Sequence, residues 1–155
     1  MQFKIQQIAL APKDPRRAAA LLARIGIAKW VEDRVVATGT VHGEPGQNVA
    51  ALAFNYEAIE GKELELLKYL EGPSWLEGRG PIVSHLGMHC TEEELAQWKA
   101  LFAEEGIVIA QEVFTDSHTN DFLVKCGRKY HYCIFDTLEI LGVDLKFIVR
   151  IERSA

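Results

Sequence analysis

The chain repeats itself. QQIAL and SHLGM each lead into a helical stretch, and those stretches end in ARIGI and AEEGI. Gln7 stands opposite His85, 78 positions on, and Gly26 opposite Gly106, 80 positions on. Glu65 stands opposite Lys146, and Glu71 opposite Glu152, both 81 positions on. Near-constant offsets across elements in a fixed order mark an internal duplication. With 155 residues in all, each half is small for burying a core alone, so the two halves are expected to share one.

The pattern along the chain gives the repeated unit its shape. FKIQQIAL alternates and reads as a strand, and DPRRAAALLARIG follows as a helix. Asp14 suits its N-cap, Pro15 its first helical position and Gly26 its end. DRVVATGTVHG and QNVAALAFNYE read as strands around a GEPGQ turn. KELELLKYLE fits a helix or a strand by periodicity, and its repeat partner VDLKFIVRIE, rich in β-branched residues, settles it as a strand.

The linker GPSWLEGRGP precedes a second series. PIVSHLGMHC reads as a strand and TEEELAQWKALFAEEG as a helix with a capping box from Thr91 to Glu94. IVIAQEVFTD, FLVKC and YHYCIFD read as strands, LEILG as a turn or short helix, and VDLKFIVRIE as the closing strand. The expected fold class is α+β: two βαβββ modules in tandem, forming a curved, barrel-like mixed sheet with a central cleft. One domain, 1–155, is expected, with modules 1–72 and 81–155 joined by a linker at 73–80.

Composition narrows the function. A net charge of −5 and a pI of about 5.5 give no electrostatic case for nucleic acid. No apolar run approaches the roughly 18 residues that a membrane span needs. Cys90, Cys126 and Cys133 lack CxxC spacing and read as reduced thiols, so a cytoplasmic protein is expected.

Period 2 picks out the polar positions that the first and last strands of each module send into the cleft. They are Gln7 and Glu65 in the first module, His85 and Lys146 in the second. Gln, Glu and His offer oxygen and nitrogen donors suited to a divalent metal. A protonated lysine offers no lone pair.

The repeat, the opening QIALAPKDPRRAAALLARIGI, its counterpart SHLGMHC and the closing YCIFDTLEILGVDLKFI together resemble the vicinal oxygen chelate superfamily. That superfamily includes glyoxalase I, bleomycin-resistance proteins, extradiol dioxygenases and methylmalonyl-CoA epimerase. In its metal-dependent members, the first and last strand of each module supply one ligand each. Carried over by position, the resemblance implies Gln7, Glu65 and His85 as metal ligands, with Lys146 at the place of the fourth, a carboxylate. The ion would be Zn, Ni, Mn or Fe, and the protein a homodimer that binds a small molecule.

Three functions follow from these residues. The expected one is a metal-free binding protein with a degenerate metal site, in which the Lys146 ammonium neutralises Glu65. The alternative is a metal-dependent lyase, isomerase or dioxygenase that uses Gln7, Glu65 and His85. The third is a metal-free enzyme with His85 or Lys146 as the catalytic acid or base. Tyr69, His89 and Arg150 are candidate substrate-binding residues. His131 faces either the cleft or the helices. Trp30, Trp75 and Trp98 read as packing residues, with Trp75 at the border of the cleft.

Overall fold

Both long helices start on the caps the sequence places there. The computed structural model describes residues 1–79, 83–117 and 129–151. Helix α1 (Pro15–Arg24) follows Asp14, whose carboxylate accepts from the Arg17 N–H at 3.1 Å. Helix α2 (Glu92–Glu104) begins with the capping box of Thr91 and Glu94, both bonds formed. Gly26 and Gly106 follow these helices in left-handed conformations, φ 94° and 72°. A short helix, α3 (Leu138–Leu141), occupies LEILG.

Among the described residues there are eight strands: β1 (Gln7–Leu10), β2 (Val31–Val41), β3 (Glu44–Asn55), β4 (Glu63–Glu71), β5 (Val83–His89), β6 (Ile109–Ser117), β7 (Lys129–Phe135) and β8 (Asp144–Ile151). They close into a barrel in the order β1-β4-β3-β2-β6-β7-β8-β5. Each half is a βαβββ module: β1 runs parallel to β4, and β5 parallel to β8. Two antiparallel seams, β1–β5 and β2–β6, join the halves. Closure leaves no strand edge unpaired around the ring.

Two boundaries differ from the sequence expectation. The first strand begins at Gln7, not Phe3, because Phe3 turns outward to pack edge-on against Phe147 at 5.4 Å. The β2–β3 turn is His42–Gly43, with φ 50° and 80°, and not GEPGQ. Two consecutive left-handed residues match the twist of a tight hairpin, so Glu44 to Gln47 continue the strand. Pro45 is tolerated there because β4 pairs with β3 only from Val49 onward. FLVKC and His118 lie outside the described residues.

The alternation in β8 divides the core in two. Leu145, Phe147 and Val149 face out, where Leu95, Trp98 and Phe102 of α2 cover them. Trp98 lies 5.2 Å from Phe147, and Phe102 4.4 Å from Phe135, between ring centroids. Inside, Val35, Ala50, Leu52, Leu67 and Ile134 pack with Trp75. Eight strands enclose a space that side chains nearly fill. The helices are unequal, since α1 fully buries no residue while α2 buries three. No helix among the described residues is long and apolar enough to cross a membrane.

Candidate functional site

The site lies on the β1–β5 seam. Across it Gln7 pairs with Gly87, and Ala9 with His85. On the flanks, Ala9 pairs with Glu65 of β4, and Gly87 with Lys146 of β8. Glu65 and His85 therefore flank Ala9, and Gln7 and Lys146 flank Gly87. The two small residues leave room for four long side chains inside the barrel. A Cβ at Gly87 would stand 3.1 Å from Gln7 Oε1, so glycine makes space there. All four side chains are buried: Gln7 2%, Glu65 1%, His85 0% and Lys146 5% exposed.

The polar atoms of Gln7, His85 and Glu65 converge. Gln7 Oε1 accepts from His85 Nε2–H at 2.8 Å, and the Ser84 hydroxyl lies 3.1 Å from Nδ1 and 3.3 Å from the Ala9 carbonyl. Burial, aided by the Lys146 charge, holds His85 well below its usual pKa, so the imidazole is neutral. Its 3.8 Å approach to Glu65 Oε1 is accordingly not an ion pair. Burial raises the Glu65 carboxyl above its ordinary range, and Lys146 works against that shift. Glu65 Oε1 has no hydrogen-bond partner among the described residues. The Lys146 ammonium stands 4.1 Å from the centroid of the Tyr132 ring.

A second polar chain closes one end of the barrel. Gln111 Nε2 donates to Tyr69 Oη at 3.1 Å. Asn48 Nδ2 donates to Gln111 Oε1 at 3.1 Å and to the Pro73 carbonyl at 2.9 Å. Asn48 Oδ1 is buried without a partner among the described residues. Between this chain and Lys146 remains a cavity of about 20 Å3, lined also by Tyr132 and Ile134. That is room for one water.

Two likenesses to solved structures span almost the whole fold. A hypothetical protein from Bacillus halodurans matches with a TM-score of 0.54 at 16% identity, over 98% of this chain and 97% of that one. Methylmalonyl-CoA epimerase from Mycobacterium tuberculosis matches at 0.52 and 13% identity, over 93% of this chain and 85% of that one. The chain has the vicinal oxygen chelate fold. A triple mutant of 4-hydroxymandelate synthase from Streptomyces coelicolor matches at 0.51 and 13% identity, over 96% of this chain and 48% of that one. No protein-family model matches the sequence, and neither does any curated protein.

Within this fold, the positions that the sequence resemblance marks for ligands come together as Gln7, Glu65, His85 and Lys146. Three of them suit a divalent ion: Gln7 Oε1, His85 Nε2 and Glu65 Oε1 converge, and the last lacks a hydrogen-bond partner among the described residues. The fourth does not. An ammonium has no lone pair to give, and its charge repels a dication at close range. Among the described residues no group of three or more His, Cys, Asp or Glu is arranged for a metal, because Gln and Lys take two of the four corners. The donor set does not fit the four-ligand site that the sequence resemblance implies.

The candidate substrate-binding residues divide between the two ends. Tyr69 lies past the Leu10 end of β1, because β4 runs parallel to β1 and continues beyond it. His89 and Arg150 lie past the Gln7 end, because β5 runs the other way and β8 follows β5. The pseudo-two-fold axis that makes Tyr69 and Arg150 equivalent in sequence places them apart in space. At its end, His89 Nε2 meets Glu63 Oε1 at 2.7 Å.

His131 faces the helices. Its ring bridges Glu92 of α2 and Glu112 of β6, both at 2.8 Å, and stacks on Phe114. Sequence reasoning missed Ala9, Gly87, Asn48, Ser84 and Asp144. Only Gly87, a glycine inside a strand pattern, carried a local signal.

Proposed function

We propose that the chain is a metal-free binding protein that takes a small molecule inside its barrel, with the Lys146 ammonium in place of the ion. The observation that carries this reading is the position of Lys146. It lies buried beside Gly87, in the same interior as Glu65 and His85, and it opposes the effect of burial on Glu65. A cation in the same interior offsets part of the desolvation cost of a carboxyl without a metal, and Lys146 does so through its charge, with no direct ion pair to Glu65. The site then offers a ligand one cation, Lys146, and two acceptors without hydrogen-bond partners among the described residues, Glu65 Oε1 and Asn48 Oδ1.

The test is elemental analysis after growth in excess Zn, Ni, Mn and Fe, followed by a ligand screen read by thermal unfolding with and without a chelator. The reading expects no stoichiometric metal, and ligand stabilisation that the chelator leaves unchanged. At a ligand concentration of 100 Kd that stabilisation is about 2.7 kcal/mol. One divalent ion per chain, lost in His85→Ala, overturns it.

A second reading rests on Glu65 Oε1, which lacks a hydrogen-bond partner among the described residues and lies 3.8 Å from His85 Nε2. It is a lyase, isomerase or dioxygenase whose ion is held by Gln7, Glu65 and His85 alone. The same elemental analysis separates the two.

A further inference from the structure

A cavity of about 20 Å3 admits no organic ligand, so part of the wall must give way before one binds. The linker is the part built to do so. Of residues 73–79 only Ser74 and Trp75 are buried. Trp75 fills the gap that opens past Leu10, where β1 stops between β4 and β5. Its indole lies edge-on to Tyr69, 5.4 Å between centroids, and tilts over His85 at 5.8 Å. Its Nε1–H donates to Asp144 Oδ2 at 3.1 Å.

We propose that this indole is a resident occupant of the cleft: it fills the seat of a flat, ring-bearing ligand with an N–H donor, which reaches His85 by displacing it. The proposal rests on the reading of the barrel interior as a binding site.

The seat is built for such a ring. Two aromatic rings form its walls, and its acceptor is a carboxylate whose charge Arg79 already balances at 2.8 Å. Asp144 is fixed from behind by the Thr137 and Leu138 N–H groups, at 3.1 and 3.0 Å, so it stays in place when the indole leaves. Beyond the indole, the anchors of the linker among the described residues are the packing of Leu76 on the inner cluster, the Asn48 bond to the Pro73 carbonyl and the ion pairs of Arg79 with Asp136 and Asp144. Opening removes one large side chain from the interior and leaves the strand ladders intact.

Carbethoxylation of His85 by diethyl pyrocarbonate, followed by peptide mass spectrometry, tests this. His85 is fully buried, so it reacts only when its cover opens. In the wild-type protein the proposal expects a labelling rate that is nearly flat in low urea, because local opening exposes little surface. A rate that climbs with the slope of global unfolding makes Trp75 a permanent part of the core and overturns the proposal. In Trp75→Ala, His85 labelling should rise at least tenfold while His131, on the α2 side, stays protected. Millimolar indole should restore protection of His85. A folded Trp75→Ala protein in which His85 stays protected, or indole has no effect, overturns the proposal. If that variant does not fold, the wild-type urea series decides. The two readings fail separately: a stoichiometric ion overturns metal-free binding, and urea-coupled protection of His85 overturns the Trp75 seat.

Discussion

Gln7 and His85 meet across the seam that joins the two halves, Gln7 Oε1 accepting from His85 Nε2–H at 2.8 Å with both side chains buried. The bond ties the first strand of one module to the first strand of the other. Gln7→Ala strands the imidazole N–H in a dry interior. Leaving one buried donor unmet costs about 1–3 kcal/mol, to be read from urea unfolding.

The proposed function makes Lys146 the residue that keeps an ion out of the site. Lys146→Glu replaces the cation with a carboxylate and completes a Gln, Glu, His, Glu set. This variant should bind one divalent ion per chain and gain stability that a chelator removes, while the wild-type protein does neither. Calorimetric titration with Mn or Zn reads the difference. Equal binding by both proteins would contradict the role given to Lys146.

Gly87 holds space for Gln7. Gly87→Ala places a methyl 3.1 Å from Gln7 Cβ and Oε1 and 3.4 Å from Ile148 Cδ1. The Gln7 side chain must shift, at a cost of about 1–3 kcal/mol. Gly39→Ala should cost more, because its Cβ would stand 2.0 Å from the Glu112 backbone carbonyl oxygen, which cannot move aside. Denaturation midpoints of the two variants test the order.

His131 makes the docking of α2 depend on pH. Burial alone would lower its pKa, but the bonds from Glu112 and Glu92 outweigh that and raise it. The same bond from His131, with Lys99 beside it, lowers the Glu112 carboxyl to about 2. A raised histidine stabilises fully below its unfolded pKa, near 6.5, and that stability is lost as pH rises through the folded value. A lowered carboxyl stabilises above 4.5, its ordinary value, and that stability is lost as pH falls toward about 2. Stability should therefore fall on both sides of a maximum between about 4.5 and 6.5. Unfolding midpoints across pH measure this, and His131→Gln should flatten the alkaline limb.

Much of this architecture is legible in the residues, because its signals are local. Asp14, Thr91 and Glu94 announce helix starts through bonds that span three residues. The alternation of VDLKFIVRIE puts Phe147 and Lys146 on opposite faces without reference to any other strand, and the structure turns Phe147 to the α2 side and Lys146 to the interior. The GEPGQ turn misleads for an equally physical reason. Gly and Pro signal a turn, but the hairpin needs two left-handed residues in a row, and His42–Gly43 supplies them.

The sequence by itself determined the duplication, the two βαβββ modules and the four polar positions that the repeat makes equivalent. Only the tertiary structure decided which residues meet. Equivalence under a pseudo-two-fold axis brings Gln7 to His85 but carries Tyr69 and Arg150 to opposite ends of the barrel. Ala9 and Gly87 matter through pairing between strands some eighty residues apart, and Trp75 matters because the linker turns back into the barrel. Periodicity along a chain reports the face of a strand. The register across a seam and the path of a linker depend on long-range closure, which no local pattern encodes.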